Sequence, residues 1–267
     1  MSLIAVKKGP LEYLIAEGIG VPHCFTTRLG GVSKGHLAAM NIGVHRGDDP
    51  EAVLENYRIL GDALGFSPED LVLTRQTHSD IVRAVTAKDA GKGLTKDIWP
   101  ECDALITNTP GVGLVVFTAD CTPILLHDPV TGAVGAVHAG WRGTAAGLAA
   151  KAVQAMADHY GCRAENIRAA IGPNIGPCCF QTDSDVPDAM TAALGDPASA
   201  CIRQSGHKYY VNLKELNALW LGNAGVTHIE ISPLCTACRQ DLFWSHRKVG
   251  SKRGSQGAVI ICKEEQL

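Results

Sequence analysis

Nothing in this chain is long and apolar enough to cross a bilayer. The most apolar stretch, residues 113–127, is interrupted by Asp120, Cys121 and Pro123 and falls short of the ~20 residues a spanning helix needs. A signal peptide is also missing, because the apolar part of residues 1–10 is too short and the charges of Lys7 and Lys8 follow it. A basic excess is absent as well, and the net charge of −3 excludes a general nucleic-acid binder. No Pro/Ser-rich or charged linker divides the 267 residues, and no tandem repeat is visible. With 46% hydrophobic and 19% charged residues the composition is that of a globular chain with ample surface to bury. The expectation is one domain over residues 1–267, with no membrane or nucleic-acid partner.

Cysteine is plentiful, but the patterns that give it a fixed role are not. Ten cysteines without secretory context point to reduced thiols in the cytoplasm rather than a disulfide framework. Cys235-Thr236-Ala237-Cys238 is half of a zinc ribbon, and no second Cys-x-x-Cys completes it. A structural or pocket-lining pair is therefore expected there, not an independent metal or redox site. Cys178 and Cys179 would point opposite ways on an extended chain, so at most one would face the active site.

Short apolar runs bounded by Gly, Pro, Asp and Thr at Leu71–Leu73, Ile81–Val85, Ala104–Ile106, Leu114–Phe117, Ile124–Leu126 and Ala133–Val137 read as strands. Val53, Leu54, Tyr57, Leu60 and Leu64 follow a helical period behind Asp49-Pro50-Glu51, an N-cap with proline at the first helical position. A second helix is expected after Gly143, with Thr144 as its cap and Gly161 as its stop, and a third from Leu213 to about Leu221. Strands at His228–Ile231 and Ala258–Cys262 follow. Because the central strands succeed one another through short turns, hairpins and mixed sheets are expected rather than regular βαβ alternation. The predicted class is α/β of the α+β type, two mixed β-sheets stacked as a sandwich with helices outside.

Three apolar runs end in side chains able to bind a metal or act as nucleophiles: Gly113–Thr118 leading to Cys121, Gly135–Val137 leading to His138, and Leu71–Leu73 leading to His78. One thiolate and two imidazoles suit zinc, and three protein ligands would leave a fourth position open, as in catalytic sites. Spacing does not establish this, since no compact HExxH-like pattern exists. The glycine-rich turn from His138 to Thr144 runs from a strand into a helix start, where free N–H groups favour an anion. Arg142 in that turn, Arg28 in Thr27-Arg28-Leu29-Gly30-Gly31, and Arg247 and Arg253 in the late basic loop are candidate phosphate contacts. Asn41 and Gln76 are candidate base or ribose contacts, Trp141 is either a stacking surface or a packing anchor, and Asp103 and Asp120 are the weaker candidates for moving protons. His45, His127, His207 and His228 show no partner pattern, whereas His246 adjoins Arg247.

Gln76-Thr77-His78, Ala119-Asp120-Cys121, His138-Ala139-Gly140-Trp141-Arg142-Gly143, Ile171-Gly172-Pro173 and Ser245-His246-Arg247 together resemble the YfiH family, also labelled laccase-domain or polyphenol oxidase-like and linked to peptidoglycan editing. The resemblance runs from Thr26 to the final strand. It implies a fold similar to the catalytic domain of cytotoxic necrotizing factor toxins, with His78, Cys121 and His138 as catalytic residues and ligands of zinc, copper being able to take the same ligands. It further implies phosphorolysis of adenosine, inosine or S-methyl-5′-thioadenosine with phosphate, and deamination of adenosine, by a monomer or weak homodimer. The chain departs from the family in the late loop. Relatives have Ser-x-Arg-Arg where this chain has Lys248, which keeps the charge but loses the bidentate fork.

Three other readings stay open. A laccase-type oxidase would need several coppers and clustered histidines, yet the ten histidines include no His-x-His pair. A metal-free cysteine hydrolase acting on an amide would use Cys121 as nucleophile and His138 as base. A pure binding module would leave the converging His, Cys and Arg residues without a purpose. The zinc deaminase signature is absent, because His78 is followed by Ser79 and Asp80.

Overall fold

The structure, a computed structural model, describes residues 3–97 and 100–263. Its strands are β1 (Ile4–Lys8), β2 (Leu11–Ile15), β3 (His23–Thr26), β4 (Leu71–Leu73), β5 (Val82–Ala84), β6 (Ala104–Thr107), β7 (Gly113–Thr118), β8 (Thr122–His127), β9 (Val134–Ala139), β10 (Arg168–Ile171), β11 (Gln181–Thr182), β12 (Ile202–Ser205), β13 (Lys208–Val211), β14 (His228–Ile231) and β15 (Gln256–Ile261). The helices are α1 (Pro50–Leu64), α2 (Trp141–Ala145), α3 (Leu148–Tyr160), α4 (Asp185–Leu194), α5 (Leu213–Asn223) and α6 (His246–Val249). No helix is long and apolar enough to cross a membrane among the described residues.

Two six-stranded mixed sheets, ordered β1-β2-β3-β15-β7-β4 and β14-β10-β8-β9-β6-β5, stack face to face. Strand alternation explains the layering. Leu114 and Val116 of β7 and Ala258 and Ile260 of β15 point into the core shared with Leu105, Leu125 and Ala136 of the second sheet. Their neighbours Val115, Val259 and Ile261 point the other way, onto Val53, Tyr57 and Leu60 of α1. On the far side of the second sheet, Ala104, Ile106, Ile124 and Val137 pack on Leu148, Ala152, Val153 and Met156 of α3. The central strands β8, β9 and β15 are buried along their whole length, as expected of strands covered on both faces. The predicted sandwich with outer helices is the observed one.

Local chemistry sets the helix ends. The Asp49 carboxylate accepts from the Glu51 N–H at 3.0 Å, and Gly65 closes α1 at φ +79°, a left-handed turn that favours glycine. The helix expected after Gly143 differs. It begins already at Trp141, breaks at Gly147 (φ +71°), and resumes as α3. Thr144 is not its cap but is buried inside α2, where its hydroxyl accepts from Asn217 Nδ2 at 2.9 Å. At Gly147 glycine is favoured by the left-handed backbone, and an added Cβ would also crowd the Trp220 ring at 3.3 Å. A third sheet, β11-β13-β12, with α4, forms a small satellite that the sequence patterns did not reveal.

The topology decides where chemistry collects. β4 runs parallel to β7, so both end at the same edge. β8 starts there, and β9 and β10, antiparallel to β8, finish there. β15, antiparallel to β7, starts there. Residues 74–79, 119–121, 138–142, 172–180 and 250–256 are thereby gathered at one end of the sandwich.

Candidate active site

Residues Ala119, Asp120 and Cys121 carry the chain from β7 in one sheet to β8 in the other. The corner is taken by Asp120 at φ +94°, a conformation a side chain tolerates only when its surroundings hold it. They do. Its carboxylate accepts from Thr236 Oγ1 at 2.6 Å, Ser245 Oγ at 3.0 Å and the Arg247 N–H at 2.6 Å. So occupied, it is a brace for the corner rather than a free proton carrier.

Beyond that corner, the Sγ of Cys121 and one ring nitrogen from each of His78 and His138 lie within 4.8 Å of one another. Cys121 Sγ is 3.8 Å from His78 Nε2, and the two imidazoles meet edge to face with centroids 5.1 Å apart. His138 is buried at the end of β9, beside Pro123 on the neighbouring strand. His78 sits exposed in the loop after β4 at φ +61°. Gly140 makes room for the cluster, since a Cβ there would lie 2.7 Å from His78 Cδ2 and 3.4 Å from Cys121 Sγ.

Asp103 organises two of the three. Fully buried, it takes His138 Nδ1 at 2.7 Å, leaving Nε2 as the free ring nitrogen. It also accepts from the backbone N–H groups of Thr77, His78 and Ser79 and from the Ser79 hydroxyl, which fixes the His78 loop. A carboxylate behind a ligating imidazole sets its tautomer and raises its basicity. Burial opposes its ionisation, but the His138 hydrogen bond and charge and the Ser79 donors hold its carboxyl down at about 2. Burial also opposes charge on Cys121, yet His138 and then His78 bring the thiol down to about 6. For His138 burial is again opposed, here by the Cys121 charge and by Asp103, which carry the imidazole up to about 9. Each shift favours charge on the partner, so without a metal the pair is biased toward thiolate and imidazolium. The donor set of two imidazoles and one thiolate, close together and backed by a carboxylate, fits a metal ion of zinc or copper type.

Two cavity lobes of about 200 and 290 Å³ meet at His78, Ala119, Cys121 and Arg253. The first is walled by Val44, Arg46, Gln76, Phe117, Thr118 and Ser255. The second is walled by Ile175, Phe180, Leu213, His246 and Arg247. Arg253 stands between them, its guanidinium lowered to about 10 by burial and by neighbouring Arg46, against the pull of Asp120 and Cys121. Arg46 is held there by donating Nε to the Arg253 carbonyl at 3.2 Å and Nη2 to the Ser251 carbonyl at 2.8 Å, and two cations so close together favour an anion in the first lobe beside them.

The remaining sequence candidates divide. Arg247 and Arg253 line the cleft. Arg247 Nη1 donates to the carbonyls of Cys179 and Gln181, so its guanidinium is partly committed. Gln76 lines the first lobe but is locked to the Phe117 backbone, accepting its N–H at 2.7 Å and donating to its carbonyl at 2.8 Å. Asn41 is fully buried behind the wall, bonded to Gly43, Asp48 and Ser255. Arg28 lines neither lobe. It lies over the Trp244 ring at 3.8 Å and donates to the carbonyls of Gln240 and Ala38. Arg142 is exposed over Trp141, whose ring packs with Val186 and Met190 as an anchor. Lys248, the departure in the late loop, is exposed and lines neither lobe. Sequence reasoning missed Arg46, whose only signal was its place in a Gly/Asp-rich loop before a capped helix. It also undervalued Asp103, because nothing local links it to His138.

Cys178 and Cys179 lie in a turn rather than on an extended chain. Neither lines the two lobes, and both sulfurs approach Cys238 instead.

A family model described as multi-copper polyphenol oxidoreductase laccase matches residues 22–263. The purine nucleoside phosphorylase YlmD of Geobacillus stearothermophilus is 40% identical over 245 residues, spanning 90% of this chain and 89% of the relative. The purine nucleoside phosphorylase YfiH of Escherichia coli is 37% identical over 230 residues, spanning 86% and 89%. The crystal structure of the Geobacillus YlmD superposes with a TM-score of 0.92 at 37% identity, covering 98% of this chain and all of that one. A Bacillus licheniformis YfiH structure also gives 0.92, at 35% identity, covering 97% of this chain and 99% of that one. Matched along almost its full length by family model, relatives and structures alike, the chain belongs to the laccase-like YfiH/YlmD family.

Proposed function

We propose that this protein is a zinc-dependent purine nucleoside phosphorylase of the cytoplasm that accepts adenosine, inosine and S-methyl-5′-thioadenosine and also deaminates adenosine. The observation that carries the reading is the meeting of His78, Cys121 and His138 with Arg253 and Arg46 in the first lobe, with His78, Cys121 and Arg253 also opening onto the second. The names of the relatives support the purine nucleoside phosphorylase part of this reading.

In phosphorolysis a phosphate oxygen attacks ribose C1′, the C1′–N9 bond breaks, and the purine leaves with a proton, giving free base and ribose 1-phosphate. Arg253 and Arg46 hold the phosphate and neutralise its charge as it approaches. Ile175, Phe180 and Leu213 give the second lobe an apolar wall against which a purine is dried and oriented. In the first lobe the buried Thr118 hydroxyl has no protein partner among the described residues and serves as a substrate contact. His78, Cys121 and His138 would hold zinc, which supplies a Lewis acid and, for deamination, an activated water. Asp103 keeps His138 in the tautomer that ligation requires.

One observation favours a second reading. Asp103, His138 and Cys121 line up as carboxylate, imidazole and lowered-pKa thiol, the arrangement of a cysteine hydrolase. Chromatography with mass detection on zinc-loaded protein and adenosine, with and without phosphate and against His138→Ala, separates the readings. Adenine and ribose 1-phosphate formed only with phosphate establish the phosphorylase, and inosine without phosphate establishes the deaminase. Neither product above the control sinks the nucleoside reading and leaves the hydrolase.

A further inference from the structure

Apart from the His78, Cys121 and His138 cluster, four cysteine sulfurs converge elsewhere in the fold. Cys178 and Cys179 lie in the turn that follows β10, and Cys235 and Cys238 in the turn that follows β14. The parallel pairing of β10 with β14, continued by a bridge between Asn174 and Cys235, brings the two turns side by side. Cys238 Sγ is 3.6 Å from Cys178 Sγ and 3.5 Å from Cys179 Sγ. All four sulfurs are within 4.8 Å of one another. Thiolates at about 2.3 Å from a tetrahedral zinc stand about 3.8 Å apart. Cys238 approaches two different sulfurs equally, which is the pattern of a shared centre rather than of one disulfide.

The surroundings suit such a centre. The Gly176 N–H donates to Cys235 Sγ at 3.1 Å, the kind of outer contact that supports a ligating thiolate. Gly176 also lets the turn close, since a Cβ there would be 3.2 Å from Cys235 Cβ and 3.3 Å from Cys178 Sγ. Buried Lys214 donates to the carbonyls of Ser232 and Leu234, holding a cation at the approach to Cys235.

We propose that Cys178, Cys179, Cys235 and Cys238 form a second, structural metal centre, a closed tetrathiolate zinc site. With four protein ligands it has no open position for water or substrate, unlike the His78, Cys121 and His138 cluster. Its place in the fold states what it braces. Thr236, inside the Cys235 to Cys238 turn, donates to the Asp120 carboxylate at the corner before Cys121. The Cys179 carbonyl accepts from Arg247 Nη1 in the second lobe. The centre therefore joins two loops, one carrying Thr236 of the corner brace and the other the carbonyl that holds Arg247 in the cleft.

Metal content of the full chain, purified from zinc-supplemented cells and measured by plasma mass spectrometry, tests this without any activity readout, so it stands or falls apart from the nucleoside assignment. The wild type is expected to carry two equivalents of zinc. His78→Ala/His138→Ala should keep one and Cys235→Ser/Cys238→Ser should lose one. Because the cysteine variant can misfold, the deciding sample is the histidine variant reloaded with cobalt(II), in which all four cysteines are intact. Strong thiolate-to-cobalt charge transfer with tetrahedral d–d bands is the expected spectrum. A histidine variant that holds no zinc and gives no such spectrum overturns the proposal, as does recovery of these cysteines as a disulfide from freshly purified wild type.

Discussion

Replacing Asp103 by Asn keeps the size of the side chain and changes only its hydrogen bonding, which makes it the cleanest test of how the site is held. In the native arrangement Oδ1 accepts from His138 Nδ1 and the His78 N–H, and Oδ2 accepts from the N–H groups of Thr77 and Ser79 and from the Ser79 hydroxyl. An amide has one acceptor oxygen, so in either orientation its NH₂ faces at least one backbone N–H, of His78 on one side or of Thr77 and Ser79 on the other, which cannot accept. With the NH₂ toward His138, the imidazole must accept at Nδ1 and carry its proton on Nε2, which removes it as a ligand. With the NH₂ toward Ser79, the loop that carries His78 loses its anchor. Each buried donor left unsatisfied costs about 1–3 kcal/mol. Loss of a carboxylate behind a ligating histidine typically lowers metal affinity about 10–100-fold, equivalent to about 1.4–2.8 kcal/mol. Competition of zinc against a chromophoric chelator reads the affinity, and circular dichroism verifies that the variant is folded. A folded D103N protein that binds zinc within about twofold of wild type would refute the positioning role assigned to Asp103.

Three further outcomes are expected. In metal-free protein the Cys121 thiol, lowered to about 6, should be alkylated by iodoacetamide at a rate that rises as pH increases through about 6 and then levels, because the thiolate is the nucleophile. Zinc should suppress that reaction, and a midpoint near the ordinary 9.0 would contradict the thiolate–imidazolium pair. Arg253→Ala should raise the KM for phosphate by roughly 10-fold or more, the scale of a lost charge-assisted bond of about 1.5–3 kcal/mol. Lys248→Ala, outside both lobes, should leave the KM unchanged, and equal effects in the two variants would remove Arg253 from the phosphate site. Gly140→Ala puts a Cβ 2.7 Å from His78 Cδ2, so zinc affinity should fall while the melting temperature changes little, and wild-type affinity in that variant would show that the His78 loop yields freely.

Elements whose signals are local were legible in the sequence. Helix α1 announced itself through Asp49, Pro50 and the spacing of Val53, Tyr57 and Leu60, because a cap and an amphipathic stripe are decided within a few residues. The central strands showed the same clarity. Helix α2 was misplaced because Thr144 resembles a cap in isolation, while its hydroxyl is claimed by Asn217 from a distant helix. The same limit affected the polar candidates. Asn41, Gln76 and Arg28 have the chemistry of substrate contacts, but each is consumed by backbone partners supplied from elsewhere in the chain, Ser255, Phe117 and Gln240.

Sequence alone determined that His78, Cys121 and His138 each follow an apolar run, and that mixed sheets with outer helices would bury those runs. Tertiary structure decided that the runs end at the same edge, since that depends on β4 pairing parallel to β7 and on the chain changing sheets at Asp120. It also decided that Asp103 stands behind His138, that Arg46 joins Arg253, and that two cysteine pairs from separate turns form one cluster. Periodicity and capping are properties of neighbouring residues. The distance between loops from different strands is set by sheet order and the packing of the two sheets, which no local spacing encodes.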